Sequence, residues 1–332
     1  MSRFDREGVR NYSARDAVGA VAIIALLLIL FSGGSIRSAA AQIEPGIGRD
    51  IVDAIGGPTE WIADLTPLAT AQHDLTGGLS PDQELGGGGF DEAASAPDAG
   101  GEIPPVTADA FDAAAIGAPA PPKEELETLL VTGDSLSTPL DAEIARRLAP
   151  DGVEVIREPH LGTGISNSAL TDWGQLSTAQ VAADEPDAVV VFIGANEGYG
   201  MPGPGGEQVE CCGPDYAAVY ANRVRQVMNA YRQDGEAKVY WLTVMAPRDP
   251  DAQKVSELVN AAIRVAAQPW ASQVRVVDTV PTFTPGGRYS DAIEVDGEER
   301  IVRESDGIHL NATGSAIAAD LVLEQIDEDF ER

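Results

Sequence analysis

The chain has 332 residues, with 53 acidic side chains against 22 basic ones and a formal net charge of -31. Its length allows one or two domains. Its acidity excludes a nucleic-acid partner, because phosphate contacts need a basic stripe, and the three lysines (Lys123, Lys238 and Lys254) are too few to supply one.

Residues 1–16 carry Arg3, Arg6, Arg10 and Arg15 and precede an unbroken apolar stretch over residues 17–31. A basic lead before an apolar run predicts a membrane-targeting segment with its N-terminus in the cytoplasm. Extended through Ile36, the segment 17–36 is just long enough to span a bilayer, while Ala39-Ala40-Ala41 suits cleavage. A transmembrane anchor and a signal peptide both remain open, and either places the rest of the chain outside the cytoplasm. Residues 42–80 show broken helical signals, as in a membrane-proximal stalk. Residues 81–123 are rich in Gly, Pro, Ala and acids, which predicts a flexible linker.

From residue 125 to about 330 strands and helices alternate. Leu129-Leu130-Val131 runs into Gly133-Asp134-Ser135, after which Thr138 and Pro139 open a helix carrying Leu140, Ile144 and Leu148. Val153-Glu154-Val155-Ile156 is a second strand. Ala188-Val189-Val190-Val191-Phe192-Ile193 reads as a strand buried on both faces. Tyr220, Val224, Val227, Met228 and Tyr231 mark a helix, and Val239 to Val244 a fourth strand. Val255, Leu258, Val259, Ala262 and Ile263 mark the next helix, Val274 to Val277 the fifth strand, and 315–327 a closing helix. Such alternation predicts a parallel sheet with helices on both faces and a ligand site beyond the carboxyl ends of its strands. Cys211 and Cys212 are neighbours and cannot staple distant segments. A vicinal disulfide, a cross-link between chains and free thiols all remain open, and the loop offers too few ligands for zinc.

The strand-end rule gathers the chemistry. Ser135 follows the first strand, Gly162-Thr163-Gly164 the second, Gly194-Ala195-Asn196 the third, and Asp306-Gly307-Ile308-His309 lies beyond the fifth. A serine needs a base for its proton and the base needs a carboxylate to set its tautomer. Among His73, His160 and His309, only His309 has an acid one turn before it; Glu158 is the nearest to His160. The Ser135 amide, the Gly164 amide and the Asn196 side chain suit an oxyanion hole. Residues 198–214 form a long Gly/Pro loop next to this site, either a lid or a disordered insertion.

These four blocks, in this order, resemble those of the SGNH (GDSL-like) hydrolases over residues 125–330. Thr163-Gly164-Ile165 with Asp172-Trp173, and Arg303 ahead of Asp306, are similar to a bacterial envelope-associated branch. The resemblance implies an α/β, three-layer α/β/α flavodoxin-like fold with a parallel five-stranded sheet, ester or acyl-transfer chemistry, and no metal or cofactor. It casts Ser135 as nucleophile, His309 as base and Asp306 as its orienter, with Ser135, Gly164 and Asn196 as the hole. Glu197 stands where the third block usually has Asp. The function expected is an extracytoplasmic serine esterase acting on small-molecule, glycan or lipid esters, tethered to the membrane or secreted. An O-acyltransferase on envelope sugars and a non-catalytic glycan-binding protein are the alternatives.

Overall fold

The computed structural model describes residues 105–332, together with Arg15, Val18 and Gly19, which are helical. The rest of the expected basic N-terminus 1–16, targeting segment 17–36 and stalk 42–80 lies outside the described residues, as does the linker up to residue 104. Among the described residues no helix is long and apolar enough to cross a membrane.

Five strands make one sheet: β1 (Thr128–Gly133), β2 (Glu154–Pro159), β3 (Ala188–Phe192), β4 (Lys238–Leu242) and β5 (Val274–Val277). They lie in the order β2-β1-β3-β4-β5, with every neighbouring pair parallel. The five helices are α1 (Leu140–Leu148), α2 (Trp173–Asp184), α3 (Pro214–Tyr231), α4 (Pro250–Ala267) and α5 (Ala312–Asp329). Helix α1 packs with α5, while α2 packs with α3 and α3 with α4. Right-handed crossovers put these two groups on opposite faces, because the chain moves one way from β1 to β2 and the other way thereafter. That reversal leaves a crevice between the carboxyl ends of β1 and β3, where ligands bind in such sheets.

The burial explains the elements. Every residue of β3 is fully buried, as its β-branched run predicts. On α3 the predicted stripe of Tyr220, Val224, Val227, Met228 and Tyr231 faces the core, with Tyr216 one turn earlier. Gly133 ends β1 at φ +144°, and a Cβ there would lie 2.0 Å from the Phe192 carbonyl oxygen. Only glycine lets the Gly133-Asp134-Ser135 turn leave the sheet at that point.

Several boundaries differ from expectation. Thr138 does not cap α1, which begins at Leu140 after Pro139; the capping side chain is Asp134, on the short 3₁₀ turn Ser135–Ser137. The 198–214 loop holds a small hairpin pairing Met201–Pro202 with Gln208–Val209, and Met201 is fully buried. A second hairpin, Ala292–Val295 with Glu298–Ile301, leads into the histidine loop. Of the expected linker 81–123, the described part holds two short 3₁₀ turns that lie on the domain. The Asp109 carbonyl accepts from the Ser272 amide at 3.0 Å, and Asp112 pairs with Arg275 at 3.1 Å. Glu124–Glu125 then pairs with Phe330–Glu331, joining the start of the domain to its end.

Candidate active site

Ser135 opens the 3₁₀ turn after β1, and the turn is held by the carboxylate before it. Asp134 is fully buried. Its Oδ1 accepts from the Leu136 amide at 2.9 Å, and its Oδ2 accepts from the Gly194 and Ala195 amides at 2.9 and 2.8 Å. One side chain thus joins the serine turn to the loop that carries Asn196. Burial pushes the Asp134 carboxyl above the usual carboxylate range, against the pull of its backbone donors.

His309 arrives from the far end of the chain. Its Nε2 lies 2.7 Å from Ser135 Oγ, and its Nδ1 lies 2.7 Å from Asp306 Oδ2. Asp306 Oδ1 also accepts from the Ile308 and His309 amides at 2.8 and 3.1 Å, so the carboxylate shapes the turn that it shares with the imidazole. Partial burial works to raise the Asp306 carboxyl but is outweighed by the bond to His309 and the two amides, which hold it at about 2. It is therefore ionised at neutral pH.

Arg303 braces this loop from behind. It is buried, and its guanidinium donates to the Ile308 carbonyl and the Ala246 carbonyl, each at 2.7 Å, with the Tyr289 ring beneath it. From the other side the Arg248 amide donates to the Gly307 carbonyl at 2.9 Å. Two arginines and three backbone carbonyls therefore fix the approach of His309.

The expected oxyanion groups sit on neighbouring loops. Asn196 Nδ2 donates to the Thr163 carbonyl at 3.2 Å, which ties the third loop to the second. A Cβ on Gly164 would fall 2.4 Å from the Asn196 carbonyl oxygen, so only glycine fits there. Gly162, by contrast, has open space around it. Among the described residues, neither the Ser135 nor the Gly164 amide meets an acceptor, which leaves both as donors for a ligand. His160 does not join the group. Its Nε2 lies 3.5 Å from Gln180 Nε2 and its ring meets Trp173 edge to face. His73 lies outside the described residues.

Glu197 has a role that its place in the sequence did not announce. Its carboxyl accepts from the Ile165 amide at 2.7 Å, the Ser166 amide at 2.8 Å and the Tyr220 hydroxyl at 3.0 Å. It holds the loop immediately after Gly164. Burial pushes this carboxyl up to about 7, against the Ser166 and Ile165 donors. Because that value lies above the ordinary one, ionising Glu197 costs the folded state. The stability it allows is complete below the ordinary carboxyl range and is lost as pH rises through about 7. Urea unfolding should show a loss of about 1–3 kcal/mol between roughly pH 5 and pH 8. Glu197→Gln should remove this pH dependence, while adding a pH-independent cost because its amide meets backbone N–H groups with a donor.

Cys211 and Cys212 are joined to each other, the first of the three states the sequence left open. Among the described residues no cluster of three or more His, Cys, Asp or Glu is placed to hold a metal ion.

A serine, a glycine, an asparagine and an Asp-x-x-His pair, each on a loop at the carboxyl edge of a β2-β1-β3-β4-β5 sheet, define an SGNH-like domain. The chain belongs to the family described as Protein of unknown function (DUF459), whose profile matches residues 128–325. No curated protein matches the sequence. Among solved structures, the chain is similar to the C-terminal catalytic domain of peptidoglycan O-acetyltransferase A from Streptococcus pneumoniae, at 12% identity and TM-score 0.39, covering 62% of this chain and 94% of that one. It is similar to a member of the lipolytic protein G-D-S-L family from Veillonella parvula, at 12% identity and TM-score 0.41, covering 60% and 97%. It is also similar to a family two carbohydrate esterase from Clostridium thermocellum, at 14% identity and TM-score 0.39, covering 63% and 66%.

Proposed function

We propose that this protein is a serine ester hydrolase working through an acyl-serine intermediate. The observation that carries the reading is the chain of short contacts from Ser135 Oγ to His309 Nε2 and from His309 Nδ1 to Asp306 Oδ2, each 2.7 Å, across 174 positions of sequence. In this reading Ser135 Oγ attacks the ester carbonyl carbon while His309 Nε2 takes its proton. The oxyanion is held by the Ser135 and Gly164 amides and the Asn196 side-chain amide, each such donor being worth about 3 kcal/mol in the transition state. On collapse, His309 returns the proton to the departing alcohol. Water then attacks the acyl-serine as His309 takes its proton; on collapse His309 returns that proton to Ser135 Oγ and the acid is released. The basic and apolar N-terminal residues support an extracytoplasmic location, at the membrane or released from it.

The test is turnover of p-nitrophenyl acetate and butyrate by the full-length chain beside Ser135→Ala. Hydrolysis by the parent and its loss in the variant is the expected result. Equal turnover by both proteins would remove the serine from the reaction, and transfer to added sugars with acyl sugar as product would replace hydrolysis by acyl transfer.

A further inference from the structure

A cavity of about 360 Å³ opens beside the triad, between the nucleophile turn, the loop after β4, the start of α4 and the 198–213 hairpin loop. Leu136, the residue after the nucleophile, and Ile308, the residue before the base, both line it. Val244, Met245, Pro247, Ala252, Val255 and Cys211 supply apolar parts of the remaining wall. Its polar side chains are already engaged. Glu197 is bound to the Ile165 and Ser166 amides, Ser256 Oγ donates to the Gln253 carbonyl at 2.9 Å, and Asp251 at the exposed rim pairs with Lys254 at 2.8 Å. Among the described residues, no buried side-chain nitrogen or oxygen without a partner lines this cavity. A chamber whose polar side chains are already hydrogen-bonded or ion-paired favours an apolar occupant, since a polar one would be desolvated with little compensation.

Resting on the hydrolase reading above, we propose that this cavity is the acyl site and that the substrates are esters of medium-chain fatty acids, not acetates. The acyl part stays covalently attached through both steps while the alcohol departs after the first. A partly enclosed pocket beside the serine therefore suits the acyl chain, and the open side suits the alcohol. The size sets the chain. An apolar cavity of roughly 150 Å³ takes benzene, so one more than twice as large takes an alkyl chain of about six to ten carbons.

The test uses the full-length chain and p-nitrophenyl esters from acetate to dodecanoate. The kcat/KM for octanoate should exceed that for acetate by about 100-fold and fall again beyond about ten carbons. Val255→Phe and Ala252→Leu, which reach into the chamber from α4, should each lower the octanoate-to-acetate ratio by about 30-fold. A catalysis-free arm measures binding of octanamide to Ser135→Ala by thermal shift, with the shift reduced in Ser135→Ala/Val255→Phe. Preference for acetate, a ratio unmoved by both α4 variants, or selectivity that follows the alcohol and ignores the acyl chain would each overturn the acyl site. Octanamide binding that depends on Val255 but comes without ester turnover would sink the hydrolase reading and leave the apolar site standing. Neither binding nor a chain-length preference would remove the site itself.

Discussion

His309→Ala is expected to lower kcat on an activated ester by about 10⁶-fold, with Asp306→Asn costing about 10⁴-fold. The difference follows from what each group does. Without the imidazole, the Ser135 hydroxyl keeps its proton at neutral pH and no acid meets the leaving alcohol. With Asp306→Asn the imidazole remains, but the amide can turn a donor toward Nδ1 and favour the tautomer whose Nε2 carries the proton. That tautomer cannot accept from Ser135. The His309 side chain is partly exposed and its loop is held by Arg303 and Arg248, so the fold should survive the truncation. Steady-state kinetics with a thermal melt on the same sample separates the two effects. A fall of less than tenfold would place the base elsewhere, and His160 would be the residue to examine.

Asp134→Ala should be the most damaging substitution for stability at the site. It leaves the Leu136, Gly194 and Ala195 amides, all close to the centre of the sheet edge, without their acceptor. Each orphaned buried donor costs about 1–3 kcal/mol. The three share one carboxylate, so their costs do not add fully, and a total of about 3–5 kcal/mol is expected. For a domain of this size that lowers Tm by about 10 °C. Asp134→Asn should cost less, since its oxygen can keep the Gly194 and Ala195 donors, though its NH2 then faces the Leu136 amide. Thermal unfolding followed by circular dichroism reads both. A Tm loss below about 2 °C for the alanine variant would show that the two loops hold each other without this carboxylate.

The parts of the molecule that the sequence revealed are those whose burial leaves a side-chain pattern. The Ala188–Phe192 run is a fully buried strand because nothing in it can face water. The Tyr220 to Tyr231 stripe is helical because its spacing closes one face. Helix α2 escaped notice because its buried positions include Ser177 and Gln180, which bond the Gly174 carbonyl and the Thr132 and Glu158 side chains instead of packing as hydrocarbon. The hairpin at 292–301 escaped because Glu298 to Ile301 is exposed throughout and does not alternate.

The site divides along the same line. Ser135, His309 and Asp306 were legible because the chemistry demands those residue types on loops that the alternation brings to one edge. The distinction between Gly164 and Gly162 needed the backbone of Asn196, against which only one of them packs. Asp134 stands in the sequence only as the middle of Gly133-Asp134-Ser135, and Glu197 as a departure from the usual third block. Their partners are mostly backbone amides of other loops, and amides carry no sequence signature. The chamber beside the triad is less visible still, since its walls come from the first, third, fourth and final loops and from the start of α4.

The most direct measurement is the site of covalent labelling by a fluorophosphonate, mapped by mass spectrometry on the full-length chain. A single adduct on Ser135, abolished by Ser135→Ala and strongly slowed by His309→Ala, is the result expected of an oxygen nucleophile made reactive by its neighbour. An adduct on another residue, or an unlabelled Ser135 in a preparation that still cleaves esters, would contradict it.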